Sequence, residues 1–508
     1  MSQKYAHCCI FAAAVAFLIL IQVPDSSAGD AWTGFRNNGA SLTPSKSLPV
    51  EWSPTSGITW QAELPGYGQS SPLLWEDRIY VTAVKGPQKE ESLVVAVSAS
   101  TGEVIWEKSI ETTSQAANYY AKSRAAPTPV VDRSGVYAFF EGGDVIGVSH
   151  DGELLWQRSL TEEYGEFQNG HGLGSSLAQT EDSVIVLIDH SGPSYLLSLD
   201  KETGTNRWKV DRESRSSWAS PVVASIHGKP QIVISSNGTV DGYDPVDGKQ
   251  LWTVGDVGGN TIPSVTVVDD RVYAGASVSE FGDGSVSQST CCIEVGKDNT
   301  AEIAWRAEKA NCHYVSPLVS DGRVYTVNKV GVVHCLDAES GEKIYAKRAG
   351  GMCWSTPIAS EGSIYLFAKD GLTTVVKPGS EFEVIAECEL WDRDDPPQPE
   401  TYVEHRPERS GSRQSFTERM KEADKDGDGL VKKEELPESM RGFFARLDSN
   451  SDGSIDSEEI EAMAERARQR SSSSSESYGD PIVYGVAATE GAFFIRTGTR
   501  IYCVGSLQ

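Results

Sequence analysis

Two stretches decide how this chain folds: LDKETGTNRW, Leu199 to Trp208, and LDAESGEKIY, Leu336 to Tyr345. Each is an apolar strand end, an acidic residue, a polar turn around one glycine, and a second short strand closing on a large aromatic. The glycine stands where a tight antiparallel turn needs a positive φ. Working outward, the same ending returns as GITW, GEVIW, GELLW, GKQLW, AEIAW and CELW. The closing aromatics are Trp60, Trp106, Trp156, Trp208, Trp252, Trp305, Tyr345 and Trp391, spaced 40 to 53 residues apart. A period of that length marks the blades of a propeller.

Each period has the same internal order. It opens on a Ser-Pro-like pair, as at Ser71-Pro72, Thr128-Pro129, Ser220-Pro221, Ser316-Pro317 and Thr356-Pro357. Alternating strands such as RIYVTA, RVYTVN and SIYLFA follow. Four short antiparallel strands per repeat make one blade. The segment after Asp480 supplies three strands and stops, so Gly57 to Glu63 is expected to complete it. Pairing the first strand with the last removes an exposed edge. The fold class is therefore all-β, an eight-bladed β-propeller closed by its N- and C-terminal strands. A buried indole removes about 150–250 Å² from water, so one per repeat reads as the tie between neighbouring blades rather than as a ligand box.

The pattern LD-x-x-TG-x-x-x-W resembles the pyrroloquinoline-quinone-type (PQQ-like) propeller repeat, over roughly residues 30–391 and 481–508. The resemblance implies the propeller. It leaves two kinds of function open, because the repeat occurs in quinoprotein dehydrogenases and in the eight-bladed scaffold lipoprotein of outer-membrane β-barrel assembly. This chain departs from the second in lacking a lipidated cysteine.

Between Trp391 and Asp480 the repeat is interrupted. The expected division is a signal peptide at 1–28, seven blades plus the closing strand at 30–391, a linker at 392–414, a small all-α EF-hand pair at 415–470, a linker at 471–480 and the last blade at 481–508. Two twelve-residue loops in the insertion resemble EF-hand calcium loops. The first offers Asp424, Asp426, Asp428, the Leu430 carbonyl and Glu435; the second offers Asp448, Asn450, Asp452, Ser454, Asp456 and Glu459. Gly429 and Gly453 supply the sharp turn, and Val431 and Ile455 fall where paired loops exchange strand hydrogen bonds. Calcium takes about six to eight hard oxygens, which such a loop delivers. Lys432 occupies position nine of the first loop, where an oxygen or water normally serves, so two calcium sites are expected with the second the tighter.

Composition narrows the partners. Lys and Arg number 45 against 72 Asp and Glu, a formal charge of -27, which repels phosphate backbones and excludes nucleic acid as a natural ligand. Lys4, the apolar run Cys8 to Val23 and Ser26-Ser27-Ala28 read as an export signal, too short for a comfortable membrane span. The expected location is periplasmic or extracellular, with no transmembrane segment after signal removal. Seven cysteines remain outside the signal, an odd number that leaves at least one free thiol.

The loops entering the Ser-Pro strands should gather on one face. They carry Tyr119, Tyr120, Lys122 and Arg124; His171; Arg212, Arg215 and Trp218; Cys312, His313 and Tyr314; and Cys353 and Trp354. His171, Arg215, Trp218, His313 and Trp354 are the candidate ligand or peptide contacts. Cys291-Cys292 is the kind of adjacent pair that quinoprotein alcohol dehydrogenases close into a ring, but extended neighbours point to opposite faces of a strand. No serine–histidine–acid order, phosphate loop or nucleotide fingerprint stands out, and no catalytic residue is assigned. The reading is a calcium-binding, exported propeller that scaffolds a protein or other macromolecule and leans away from enzymatic activity. The alternative is a PQQ-dependent dehydrogenase.

Overall fold

The computed structural model describes residues 31–116, 123–277, 290–307, 309–398, 423–424, 428–436, 444–447, 452–457, 459–461 and 481–507. These form eight four-stranded antiparallel sheets. Seven are sequential: blade 1 runs from Leu73–Trp75 to Val104–Glu111, blade 2 from Val130–Asp132 to Leu154–Ser159, blade 3 from Ala178–Gln179 to Asn206–Arg212, and blade 4 from Val222–Ile226 to Gln250–Val257. Blade 5 runs from Thr266–Val268 to Ala301–Ala307, blade 6 from Leu318–Ser320 to Lys343–Arg348, and blade 7 from Ile358–Ser360 to Glu383–Glu389. Blade 8 joins Gly485–Thr489, Ala492–Arg496 and Arg500–Gly505 to the early strand Ile58–Glu63. The closing pair is antiparallel, with Trp60 opposite Cys503 and Gln61 opposite Tyr502.

The recurring aromatics tie each blade to the next. Trp60 donates from Nε1 to Ala99 O at 3.0 Å, Trp106 to His150 O at 2.8 Å, Trp156 to Lys201 O at 2.8 Å, Trp208 to Pro245 O at 2.9 Å and Trp305 to Ala338 O at 3.2 Å. Each indole lies over the turn glycine of the following blade: Gly102, Gly152, Gly204, Gly248 and Gly341, all at φ between +71° and +84°. Tyr345, Trp391 and Trp252 depart from this: Tyr345 packs on Phe382, and Trp391 lies over Gly371 of its own blade and packs on Tyr502. Blade 5 turns through Gly296-Lys297-Asp298 instead of a Thr-Gly turn, and Trp252 donates inward to Gln231 Oε1 at 2.7 Å.

The Ser-Pro pairs have a role that the pattern alone did not disclose. Each hydroxyl accepts from the backbone N–H of its counterpart in the preceding blade: Ser71 N to Thr128 Oγ1 (2.9 Å), Thr128 N to Ser176 Oγ (3.0 Å), Ser176 N to Ser220 Oγ (2.9 Å), Ser220 N to Ser264 Oγ (2.8 Å), Ser264 N to Ser316 Oγ (3.0 Å) and Ser316 N to Thr356 Oγ1 (3.1 Å). This belt of hydroxyls stitches blades 1 to 7 around the axis. Proline follows the belt hydroxyl in blades 1, 2, 4, 6 and 7, whereas Leu177 stands there in blade 3, where its N–H donates to Thr128 O at 3.1 Å, and Val265 in blade 5. At the closing seam, the fully buried Arg496 of blade 8 donates to Ser70 O at 3.0 Å and Thr82 O at 2.6 Å in blade 1.

A further element was not expected. Residues 31–43 fill the centre of the ring. Trp32 bridges to Leu74 of blade 1, and Thr33 O accepts from Val131 N of blade 2 at 3.0 Å. Gln179 Nε2 of blade 3 donates to Thr33 O at 3.3 Å, and Gly39 presses on Val222 of blade 4. The buried Arg36 donates to Val265 O (2.9 Å) in blade 5 and Pro317 O (3.2 Å) in blade 6, and it also meets Thr266 Oγ1. Thr43 N donates to Ala359 O of blade 7 at 3.1 Å. Among the described residues no helix is long and apolar enough to cross a membrane.

The inserted loops pair through one antiparallel bridge: Val431 N donates to Ile455 O and Ile455 N to Val431 O, both at 2.9 Å. Ala423, Val431, Leu436, Leu447, Ile455 and Ile460 make a small core of their own, with Phe444 against it. The first residues after Trp391 are pinned to blade 7, because Arg393 Nη2 meets Asp370 Oδ2 at 2.7 Å. The rest of the expected linker from residue 399, the expected linker at 471–480 and the expected signal segment 1–28 lie outside the described residues.

Candidate functional site

Every blade starts its innermost strand in the same direction, so the loops entering those strands emerge on one face. Two groups of candidates meet there. His171 lies edge-on to Trp218, centroids 6.1 Å apart, and Trp218 Nε1 donates to Gly172 O at 2.8 Å. Arg215, three residues before Trp218 in the chain, donates to Thr239 Oγ1 at 2.6 Å and pairs with Glu213 at 3.0 Å. On the other side, His313 packs on Tyr314 (4.2 Å) and Tyr314 on Trp354 (4.7 Å). That stack continues through Tyr484 and Tyr67, which the sequence reading had passed over, to Arg124, which it had named. Trp354 meets Tyr484 at 5.4 Å, the Tyr484 and Tyr67 hydroxyls stand 2.7 Å apart, and the Arg124 guanidinium lies 3.5 Å over the Tyr67 ring. The result is an aromatic arc from the loop entering blade 6, across the seam, to the loop entering blade 2; His313, Tyr314 and Trp354 are part exposed, whereas Tyr484, Tyr67 and the Arg124 cation at its end are buried. One signal was available: Trp218, Tyr314 and Trp354 each stand two residues ahead of the belt hydroxyl. Tyr67 and Tyr484 stand at other offsets, and the pattern misses them.

Three candidates serve the scaffold instead. Arg212 is buried between Asp189 (3.0 Å) and Asp241 (3.4 Å), which ties blade 3 to blade 4 and withdraws its charge from the face. Cys312 and Cys353 are buried, and burial pushes both thiols up to about 12. Tyr119, Tyr120 and Lys122 lie outside the described residues.

The repeat's association with pyrroloquinoline quinone can be tested against the residues present. Between the central segment and the inner strands, Trp32, Phe35, Arg36 and Ser41 together with Trp354, Thr356 and Tyr484 line a cavity of about 20 Å³, room for water only. Cys291 and Cys292 are consecutive in the third strand of blade 5 and are buried in different cores, Cys291 with Val257 and Val272 and Cys292 with Tyr273 and Trp305, and burial raises their thiols to about 11 and about 12. All seven described cysteines are unbonded and buried. The described residues do not fit the quinone, and no step is derived through it.

The inserted loops carry the donor chemistry of a hard cation. Gly429 and Gly453 have φ of +83° and +91°. Asp424 Oδ2 accepts from Gly429 N at 3.0 Å, and Asp428 Oδ1 from Leu430 N at 2.8 Å. Glu435 Oε2 accepts from Lys432 N at 2.8 Å. Asp452 Oδ1 accepts from Ser454 N at 2.9 Å, and Asp456 Oδ1 from the buried Glu459's N–H at 2.9 Å. Lys432 Nζ lies 2.9 Å from Asp428 Oδ2, so the position-nine lysine competes for a first-loop carboxylate. Asp426, Asp448 and Asn450 lie outside the described residues. Among the described residues no three His, Cys, Asp or Glu side chains converge as a metal cluster.

This is the ring of a PQQ-type repeat propeller. The chain belongs to the family described as outer membrane protein assembly factor BamB, whose profile matches residues 46–169, 166–289 and 294–398. An EF hand profile matches residues 440–464. The outer membrane protein assembly factor BamB of Moranella endobia (strain PCIT) is 27% identical over 158 residues, 31% of this chain and 36% of that relative, so the match spans about a third of the relative's length. Among solved structures, BamB from Moraxella catarrhalis superposes with a TM-score of 0.51 at 12% identity, covering 88% of this chain and 96% of that one. A europium-containing methanol dehydrogenase superposes with a TM-score of 0.50 at 12% identity, covering 71% and 86%. At that identity both likenesses speak to the fold alone.

Proposed function

We propose that this chain is an exported, calcium-binding propeller that acts as a non-catalytic scaffold, holding a protein or other macromolecule on the face that carries His171, Arg215, Trp218, His313 and Trp354. The observation that carries the reading is the arc His313–Tyr314–Trp354–Tyr484–Tyr67–Arg124 laid over a channel that residues 31–43 fill. A sealed axis offers a surface rather than a cavity. Its part-exposed members His313, Tyr314 and Trp354, backed by the buried Tyr484, Tyr67 and Arg124, join the part-exposed Arg215 and Trp218 in giving the face the aromatic and arginine composition that anchors partner proteins. The family's description as an assembly factor supports the same reading. The oxygen-rich loops with their Val431–Ile455 bridge support two calcium sites, and the Lys4 to Ala28 segment supports export to the periplasm or beyond. The net charge of -27 argues against nucleic acid. Affinity capture from a periplasmic or secreted fraction tests the reading. Wild type should retain a discrete protein that Trp218→Ala/Trp354→Ala loses without a change in melting. Equal recovery by both would refute the site. The dehydrogenase alternative predicts a saturable change in the absorbance of added quinone in the presence of calcium, and the scaffold reading predicts none.

A further inference from the structure

We propose that the cavity between blades 1 and 2, beside His171, seats an uncharged primary amide, the group a glutamine side chain of a bound partner would present. This inference rests on the scaffold reading and names the chemistry of one anchor within it. The cavity measures about 150 Å³, with Val84, Phe140, Phe167 and Leu173 as its apolar walls.

Three polar groups face it. Lys89 and Glu141 form an ion pair at 2.7 Å whose side chains are only 4% and 6% exposed. An ammonium has three N–H donors. Lys89 gives one to Glu141 and one to Ser123 O at 2.5 Å, which leaves the third for the cavity. Asn169 Oδ1 accepts from His171 N at 3.0 Å, which fixes the amide and leaves Nδ2 as the outward donor. That Nδ2 is buried without a partner among the described residues. Glu166 uses Oε2 for the Ser114 hydroxyl at 2.9 Å, so its other oxygen is available as an acceptor.

The arrangement selects among ligands by charge. Lys89 and Glu141 neutralise each other, and a buried unpaired charge is costly. A carboxylate entering the cavity would meet the uncompensated charge of Glu166, and an ammonium, though able to pair with Glu166, has no acceptor for the Lys89 and Asn169 donors. A primary amide satisfies the whole set: its carbonyl accepts from Lys89 and Asn169, and its NH₂ donates to Glu166. Two unfilled donors beside one unfilled acceptor are the complement of that group.

Ligand-observed NMR on the full chain with propionamide, propionate and propylammonium tests the proposal without needing the partner. A failure here is therefore distinct from a failure of partner capture. Propionamide should bind in preference to the two ions. Asn169→Asp keeps the acceptor for His171 N–H but removes the donor, and should weaken propionamide at least tenfold. Glu166→Gln, at an exposed position with little bearing on folding, should weaken it as well. Binding of all three probes alike, no binding of propionamide, or indifference to both substitutions would overturn the proposal and leave a cavity that holds only water.

Discussion

The indole of Trp156 lies so close to Gly204 that a Cβ on the glycine would stand 2.6 Å from its ring carbons. Gly204 has φ of +71°, so an L side chain is disfavoured there twice, by backbone and by contact. Gly204→Ala should cost about 2–4 kcal/mol, combining a left-handed alanine with an overpacked interface. Gly228→Ala is the matched control. Its φ is +73° with nothing within 4 Å, so it should cost only about 1 kcal/mol. Urea unfolding of the two variants checks the difference, and equal midpoints would show that the indole contact adds nothing.

Closure of the ring converges on Arg496. Arg496→Met would leave the Ser70 and Thr82 carbonyls, both served by its guanidinium, without those donors. Each buried orphan costs about 1–3 kcal/mol, so a loss of more than 2 kcal/mol is expected. Arg207, about 41% exposed and paired with Asp200 and Asp182, should cost under about 1 kcal/mol on the same change. Thermal melts of the two variants side by side separate seam from surface.

His190 makes stability depend on pH. Its Nδ1 accepts from Gln168 N at 2.9 Å and Gly192 N at 3.0 Å, a role open only to the neutral ring. Burial holds its pKa below the ordinary 6.5, against the raising effect of the Pro193 backbone and Asp189. The folded value is the lower one, so the unfolded chain takes up the proton first. The contribution is present above pH 6.5 and is lost as pH falls through the folded value. Urea midpoints from about pH 7 to about pH 5 should fall in the wild type and fall less steeply in His190→Gln. Parallel profiles would assign the acid sensitivity elsewhere.

Calcium should fill the second loop before the first. Lys432 holds Asp428 at 2.9 Å, whereas the second loop offers Asp456 at the corresponding position. In calorimetry, Glu459→Gln should remove the tighter event and Glu435→Gln the weaker one, while Lys432→Asp should tighten the weaker. Loss of the tighter event in Glu435→Gln would reverse the ranking.

The blades were legible because their signals are local and repeated. A closing aromatic in every period, a turn glycine beneath it in most and a Ser-Pro-like pair in blades 1, 2, 4, 6 and 7 are imposed by repeated interblade contacts, and the strand Gly57 to Glu63 showed itself as a Trp segment without a blade of its own. The EF hand that matches residues 440–464 was legible for a similar reason, since its loop pattern lies within twelve consecutive residues. The central segment 31–43 was not, because its hydrogen bonds go to inner strands as far away as Ala359 and no periodicity marks it. Arg212 misled because a charged loop residue looks alike whether it faces solvent or two aspartates from neighbouring strands. The arc was half visible: Trp354 and Tyr314 share an offset from the belt hydroxyl, whereas Tyr67 and Tyr484 meet only because the chain ends meet.

The central claim is that one face of the ring, around Trp354, engages a macromolecule. Site-specific photo-crosslinking in the producing cell tests it most directly. A benzophenone amino acid would replace Trp354 in one strain and Val246, which is 82% exposed on the blade 4 turn, in another. The account predicts a discrete protein adduct from position 354 and none from position 246. No adduct at 354, or the same adduct from both positions, would contradict it.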